Sequence, residues 1–469
     1  MGTPLTDRPV EPPADPGRRL FFRRFAAEAV TAATSVLGAA SVLQAESAEA
    51  ARGLLGPGPL TGARAAGGGA AGGAGTGAQA LNRAGAAGYR TAFTWDDDVC
   101  RVVDQRRLPG ALVDFEVKGT ADAVNAIRDR VVVGAAAEAQ VAAIALALTA
   151  LRARASRPLA RRATIRGGAN ALIAARPGAA AVAAAVGRVR ARYEALPADA
   201  DGEFVASELQ AEADTIVFEA MHDHGALAEH GAAALPVPPD RALRVLLHGS
   251  SGTMAGGQFG SAQAAVLTLH HAGRMVETLV TEARPGLEGA RVAAWELAQA
   301  GVRVTIVSDA GAPSLLAGHE ADVVLVVADR VAANGDVVAT AGAYPLALAA
   351  ARAGVPFVVF APTTAVDLAT PDGPSATVEE WRAGEILRFE GRGVAADGAS
   401  GRAPRQDRTS AELVSAIVTE EGVLRPPYGD ALAAAVAAAD LRRAASPGFA
   451  ALAAAALLPP AGADHEGDA

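Results

Sequence analysis

A single cysteine, Cys100, excludes an internal disulfide and any cysteine-based zinc cluster, and suits a reducing compartment. Aromatic residues make up only 4% of the chain, so a core of any size must be built from closely packed small-residue helices instead of aromatic clusters. Positive charge is also scarce. A net charge of −9 argues against a general nucleic-acid binder, which needs a basic balance or a basic face. No stretch reads as a transmembrane span. What is present, 51% hydrophobic and 20% charged residues over 469 positions, fits a globular chain of two or three domains.

The first part, residues 1–93, reads as an extension. Pro4 to Pro16 is rich in proline and charge, a composition that resists folding. GRRLFFRRF follows, with Arg18, Arg19, Arg23 and Arg24 around Phe21 and Phe22. It has the outline of a twin-arginine export signal, but Glu28 lies inside the apolar run and Arg23 and Arg24 divide the aromatics from it. An amphipathic helix that packs on the body or touches a membrane surface is the favoured reading, with the cytoplasm as the expected location. GGGAAGGAGTG, from Gly67 to Gly77, has linker composition.

Residues 94–235 open with short apolar runs around the turn residues Pro109 and Gly110, which predict a small β unit. From Ala121 to about His230 the spacing is helical, with expected breaks near Arg157-Pro158, Gly167-Gly168 and Arg176-Pro177. His222, His224 and His230 fall near one another, but the spacing of the first two puts them on different helix faces, so no metal site is expected. Residues 236–428 change period. Apolar runs at Leu243–Leu247, Val276–Val280, Val302–Val307, Val323–Val327 and Pro356–Phe360 alternate with helical stretches, the pattern of an α/β Rossmann-like, doubly wound parallel sheet. Residues 429–469 read as an alanine-rich helix and acidic tail.

Two places in this sheet invite chemistry. DVVLVVADRVAANGD, from Asp322 to Asp336, predicts a strand covered on both faces, with Asp329 at its carboxyl end, where ligands bind in open α/β sheets. Asp329 is the first candidate carboxylate, against a duller role in capping the following turn. HGSSGTMAGGQFGSA, after the first parallel strand, has the glycine and hydroxyl content of a phosphate-cradling loop but matches neither the dinucleotide fingerprint nor a Walker loop.

The stretches DQRRLPG (104–110), AARP (174–177), LAEHGAAAL (227–235), EARPGLEGARVAAWEL (282–297), ADRVAANGD (328–336) and TSAELVSAIVTEEGVLRPPY (409–428) resemble the methylthioribose-1-phosphate isomerase family. That family belongs with ribose-1,5-bisphosphate isomerases and the regulatory subunits of a eukaryotic translation-initiation exchange factor. The resemblance implies a small N-terminal β and helical domain, a Rossmann-like domain and a homodimer. It also implies a site between the domains that interconverts a sugar-phosphate aldose and ketose without metal or nucleotide, so no cofactor is expected.

The resemblance gives Asp329 the role of proton-shuttling aspartate and Arg176 that of a phosphate-binding arginine. Gly134, Ser251, Gly252 and Asn334 are further expected binding positions. Elsewhere the pattern is broken. Gly249 stands where the catalytic cysteine is expected after His248, Val133 where a phosphate-binding arginine is expected, Glu288 in place of a glutamine, and Ala339-Thr340 in place of Asn-Lys. These changes make the expected phosphate site more negative by three charges, which disfavours a dianionic sugar phosphate. Asp329 would need a partner, for which His248 and Ser250 are the candidates. Three readings stay open: a divergent isomerase acting on another sugar or polyol derivative, a non-catalytic binding or assembly protein, and an orthodox isomerase with a shifted site.

Overall fold

A computed structural model describes residues 91–96, 98–389 and 391–445. The arginine-rich segment, the glycine linker and the acidic tail lie outside the described residues. The chain opens with an antiparallel sheet of β1 (Phe93–Trp95), β2 (Cys100–Val103) and β3 (Asp114–Val117). Five helices follow: α1 (Thr120–Arg128), α2 (Ala135–Arg152), α3 (Pro158–Ala175), α4 (Ala180–Glu194) and α5 (Gly202–Ala234). Pro158 starts α3 at a position whose N–H needs no partner, and the Asp201 side chain accepts from the backbone N–H groups of Glu203 and Phe204 to cap α5.

α2 is largely apolar and buried on most sides, and packs against the other four helices, with Ile144, Leu146 and Leu148 fully buried. It is long and apolar enough to cross a membrane by length and composition, but most of it is enclosed by the protein as a core helix. The break expected at Gly167-Gly168 is absent, since both lie inside α3. A Cβ on Gly168 would stand 2.8 Å from Thr120 Oγ1, so this glycine permits α3 to approach α1 closely.

The second part is built on a sheet of β4 (Leu243–Leu247), β5 (Val276–Thr281), β6 (Arg303–Val307), β7 (Val323–Ala332), β8 (Val337–Thr340), β9 (Phe357–Phe360), β10 (Gln406–Thr409), β11 (Ala416–Thr419) and β12 (Gly422–Leu424). The main ladder runs β12-β11-β9-β7-β4-β5-β6, parallel except for β12. Helices α6 (Ala262–His271), α7 (Ala343–Ala353) and α8 (Gly429–Ala445) accompany it, with the shorter helices Ala294–Gln299 and Ala312–Ala317 in the crossovers. β7 is longer than its apolar run. Past Val327 it leaves the parallel ladder and pairs antiparallel with β8, whose other edge takes β10. The register shifts between Ala328 and Arg330, so Asp329 sits at a β-bulge on the carboxyl edge of the sheet, an irregularity that re-aims a side chain.

Hydrophobic clusters follow this division. One joins the small sheet to the helices and takes α5 residues up to Val217, while Leu227 and Ala232, further along α5, belong to the cluster on one face of the parallel sheet. Gly231 brings α5 onto that face, because a Cβ there would stand 2.4 Å from the Phe360 ring. Gly231→Ala is therefore expected to overpack this contact and destabilise by about 1–3 kcal/mol in urea unfolding. Gly225→Ala, on the same helix with nothing within 4 Å of the new methyl, should instead be neutral or stabilise by up to about 1 kcal/mol.

Candidate functional site

A cleft of about 870 Å³, open to solvent, lies where the carboxyl edge of the parallel sheet meets the starts and ends of the N-terminal helices. Gly134 contributes to it at the start of α2, Arg176 after α3, Gly249 and Ser250 after β4, Glu288 before the π-helical turn Gly289–Ala293, and Asp329 at the bulge of β7. Trp381 and Arg405 close another side.

The centre of the site is the Arg176 guanidinium, whose side chain is 2% exposed. Pro177 follows it and ends α3, leaving the arginine at a helix junction that points into the sheet edge. Its Nε donates to Glu138 Oε2 at 2.6 Å, its Nη2 to Asp329 Oδ2 at 2.9 Å, and its Nη1 to Glu379 Oε1. Glu138, fully buried on α2, also accepts from Arg405 Nη2 at 2.9 Å, and Arg405 Nη1 lies 3.5 Å from Glu379. Arg405 stacks 4.3 Å from the centre of the Trp381 ring. The cluster thus holds two guanidiniums against three carboxylates, an excess of one negative charge.

Burial pushes the Asp329 carboxyl up, but the charges of Arg176 and Arg405 and the hydrogen bonds from Arg176 and Gln406 outweigh it and hold the group below its ordinary range. Both donors reach Oδ2. Among the described residues no donor reaches Oδ1, which is the open edge of the carboxylate in the cleft. Glu288 is the opposite case. Burial raises its carboxyl, against weaker lowering by its own backbone N–H and by Arg130, Arg405 and Arg291.

Of the expected site residues, the cleft brings together Asp329, Arg176, Gly134, Ser250 and Glu288, while His248, Ser251, Gly252 and Asn334 are not among those that line it. His248 is withdrawn because both ring nitrogens are occupied: Nδ1 is 2.7 Å from Thr281 Oγ1, and Nε2 faces the Thr340 and Ala341 carbonyls at 3.2 and 3.1 Å. The two carbonyls require an N–H at Nε2, so the Thr281 hydroxyl donates to Nδ1. Burial keeps this ring neutral. Asn334 belongs to a tight turn, donating to Asp336 Oδ2 at 2.9 Å. The hydroxyls of Ser250 and Ser251 are both buried and have no hydrogen-bond partner among the described residues. Gly134, at φ +124°, lets α2 start against the turn Thr253–Gly256, since a Cβ would meet Ala255 Cα at 2.4 Å.

Gly249 has φ +80°, and a Cβ there would approach Thr340 Oγ1 at 3.1 Å, so a cysteine could enter this position only with strain. In the loop that follows, Glu296 takes up the amides of Met254 and Thr253. Glu296 Oε1 accepts from Met254 N at 3.0 Å, and its carboxylate packs against Gly252. His224, which lines the cleft, directs Nδ1 to the Phe259 carbonyl at 2.9 Å, and no metal-ligand cluster occurs among the described residues. The residues that the sequence alone does not identify are Glu138, Glu379, Arg405, Gln406 and Trp381. They are distant along the chain and carry no local motif.

Two outcomes are expected. Glu138→Ala strands two buried guanidiniums and should cost about 3–5 kcal/mol in urea unfolding. Burial raises the Glu296 carboxyl from 4.5 to about 7, against the lowering hydrogen bonds of Met254 and Thr253. Its contribution to stability is complete below the unfolded value of 4.5 and is lost as pH rises to about 7, a decline on the order of 3 kcal/mol. Glu296→Gln should flatten that part of the stability profile.

The chain matches the Initiation factor 2 subunit family over residues 131–426. It is 37% identical over 336 residues to the methylthioribose-1-phosphate isomerase of Thioalkalivibrio sulfidiphilus, covering 72% of this chain and 94% of that protein. With the corresponding protein of Chloroflexus aurantiacus it shares 40% identity over 245 residues, 52% of this chain and 69% of the relative. Among solved structures, 5-methylthioribose 1-phosphate isomerase from Pyrococcus horikoshii superimposes with a TM-score of 0.65 at 26% identity, over 74% of this chain and 96% of the other. The delta subunit of translation initiation factor eIF-2B from A. fulgidus gives 0.61 at 26% identity, over 72% and 96%. The chain therefore belongs to the initiation factor 2 subunit family, in which it resembles both methylthioribose-1-phosphate isomerases and initiation-factor subunits.

Proposed function

We propose that this protein is a divergent isomerase-like member of its family that takes an unphosphorylated sugar or polyol derivative, and that it is not an orthodox methylthioribose-1-phosphate isomerase. The observation that carries the reading is the enclosure of Arg176 by Glu138, Asp329 and Glu379, which leaves its charge fully engaged within the protein. A phosphate dianion would have to displace these carboxylates or sit beside them. At an effective dielectric constant of about 20, like unit charges about 5 Å apart repel by roughly 3 kcal/mol. A neutral polyhydroxylated ligand meets no such repulsion and can use the carboxylate edges as acceptors.

The absence of a thiol at Gly249 and the pairing of His248 support the same reading, as does the open Oδ1 of Asp329, which suits proton transfer at carbon. The reaction class is an intramolecular aldose–ketose isomerisation without metal or nucleotide. A cytoplasmic homodimer without nucleic-acid partners completes the proposal. The resemblance to the initiation-factor delta subunit supports a second reading, a non-catalytic binding or assembly protein on the same scaffold.

Thermal unfolding in the presence of sugars separates these. Methylthioribose-1-phosphate is expected to give no shift, whereas an unphosphorylated sugar or polyol at a hundredfold excess over Kd should stabilise by about 2.7 kcal/mol. Rapid isomerisation of the phosphorylated sugar by the unmodified protein, abolished by Asp329→Asn, would overturn the proposal. Failure of every sugar and polyol to bind would favour the assembly role.

A further inference from the structure

The partners expected for Asp329 are not available: His248 is locked between Thr281 and two carbonyls, and Ser250 has no base beside its buried hydroxyl. A different group occupies the cleft with the properties such a partner needs. We propose that Glu288 is the second proton-transfer group, moving the oxygen-bound proton of the substrate while Asp329 moves the carbon-bound one. This inference rests on the isomerase reading above.

Local backbone holds Glu288 in place. Leu287, at φ +60°, donates its N–H to the Ala283 carbonyl at 2.8 Å, and Ala290 N reaches the Glu282 carbonyl at 3.3 Å, so the segment is a closed loop entering the turn Gly289–Ala293. The carboxyl folds back over Gly286: a Cβ on that glycine would stand 1.9 Å from Glu288 Oε1. A side chain at position 286 would turn the carboxyl out of this orientation.

The carboxyl also lacks what anchors Asp329. Its own backbone N–H is the one hydrogen-bond donor that acts on it among the described residues, and Arg130 Nη1, which has no hydrogen-bond partner there, is 3.9 Å away. Each cation facing it has other acceptors. Arg130 donates to Glu385 at 2.9 Å, Arg405 is held by Glu138 and Glu379, and Arg291 donates to the Leu108 and Gln105 carbonyls at 3.0 and 3.1 Å. Arg106, on the adjoining crevice, pairs with Asp104 at 2.8 Å. Glu288 is therefore desolvated with only its own backbone N–H and a 3.9 Å ion pair to hold it, whereas Asp329 takes side-chain hydrogen bonds from Arg176 and Gln406. Two carboxyl groups of one cleft whose environments drive them apart divide into base and acid.

The step balances without any further reactant. Asp329 carboxylate removes the hydrogen from the hydroxyl-bearing carbon next to the carbonyl. That electron pair forms the carbon–carbon double bond, and the carbonyl π pair takes the proton of the Glu288 carboxyl, giving a neutral enediol. Glu288 carboxylate then accepts the proton of the other hydroxyl while Asp329 returns its hydrogen to the former carbonyl carbon. Both groups end as they began, and the carbonyl has moved by one carbon.

The arrangement requires Asp329 ionised and Glu288 protonated. Turnover should therefore fall as pH rises through the raised Glu288 value, with an alkaline limb that belongs to this residue. The test uses the full chain in deuterium oxide with D-ribose, D-xylose, D-arabinose and unphosphorylated methylthioribose, following deuterium at C2 and ketose formation. Glu288→Gln should lower turnover by roughly 10²- to 10⁴-fold while the sugar still raises the melting temperature, and Glu288→Asp should recover part of the rate. Infrared difference spectra of the two forms, without sugar at mildly acidic pH, should assign a protonated-carboxyl band to Glu288. A sugar turned over equally by wild type and Glu288→Gln, or the absence of that band, overturns the role of Glu288 and leaves the isomerase reading standing. Failure of all four sugars to bind or exchange overturns both.

Discussion

One buried guanidinium holds the site together. Arg176 is bonded to Glu138 from α2, to Asp329 from the β7 bulge and to Glu379 from the segment after β9. Helical layer, sheet edge and the far wall of the cleft are therefore fixed relative to one another through a single side chain. Charges this deeply buried are tolerated only when paired, so the contacts are mutually dependent. Arg405 extends the constraint by sharing Glu138 and Glu379 and by stacking on Trp381. Asp329 could not take its present orientation without the bulge, and the bulge would leave a charge unpaired without Arg176.

Much of the fold could be read in the sequence because parallel strands covered on both faces must be runs of Val, Leu and Ile, and these runs carry their own boundaries. β4, β5 and β9 fall within a residue of their apolar runs. β7 does not, because its last five residues, Ala328–Ala332, leave the central ladder and pair with β8, where Asp329 and Arg330 break the apolar pattern without ending the strand. Gly167-Gly168 misleads for a related reason. Glycine near a helix centre looks like a break until the neighbouring helix is seen to need its missing side chain.

The site was less accessible. Asp329 and Arg176 stand in recognisable motifs, but Glu138, Glu379, Arg405 and Gln406 surround them from distant segments whose local patterns give no sign of it. The expected loss of positive charge captured only part of the balance. The resemblance implies two replaced cations, yet Arg405 enters the cleft from the bend just before β10 and its charge is then neutralised by Glu138 and Glu379. His248, a candidate partner for Asp329 on its residue type, follows β4. Its neighbours, the Thr281 hydroxyl and the carbonyls of Thr340 and Ala341, exist only once β4, β5 and β8 are assembled.

The ion pair at Asp329 has a chemical consequence in two parts. A carboxylate held ionised by nearby arginines is a weaker base than a free one, which makes removal of a carbon-bound hydrogen harder. On the proposed reaction, negative charge grows on the enediol oxygens as that hydrogen leaves, and preorganised cations in a site partly shielded from water would stabilise such charge. Weakening the base and stabilising its product come from the same two side chains, so the net effect on the barrier depends on which oxygen they approach. Arg176 is committed to Asp329 Oδ2, whereas Arg405, within electrostatic reach of both Asp329 and Glu288, could act on a substrate only with its charge already shared by Glu138 and Glu379. Its stacking on Trp381 fixes the plane of its guanidinium, so that stabilisation would be directional and not merely a matter of local charge.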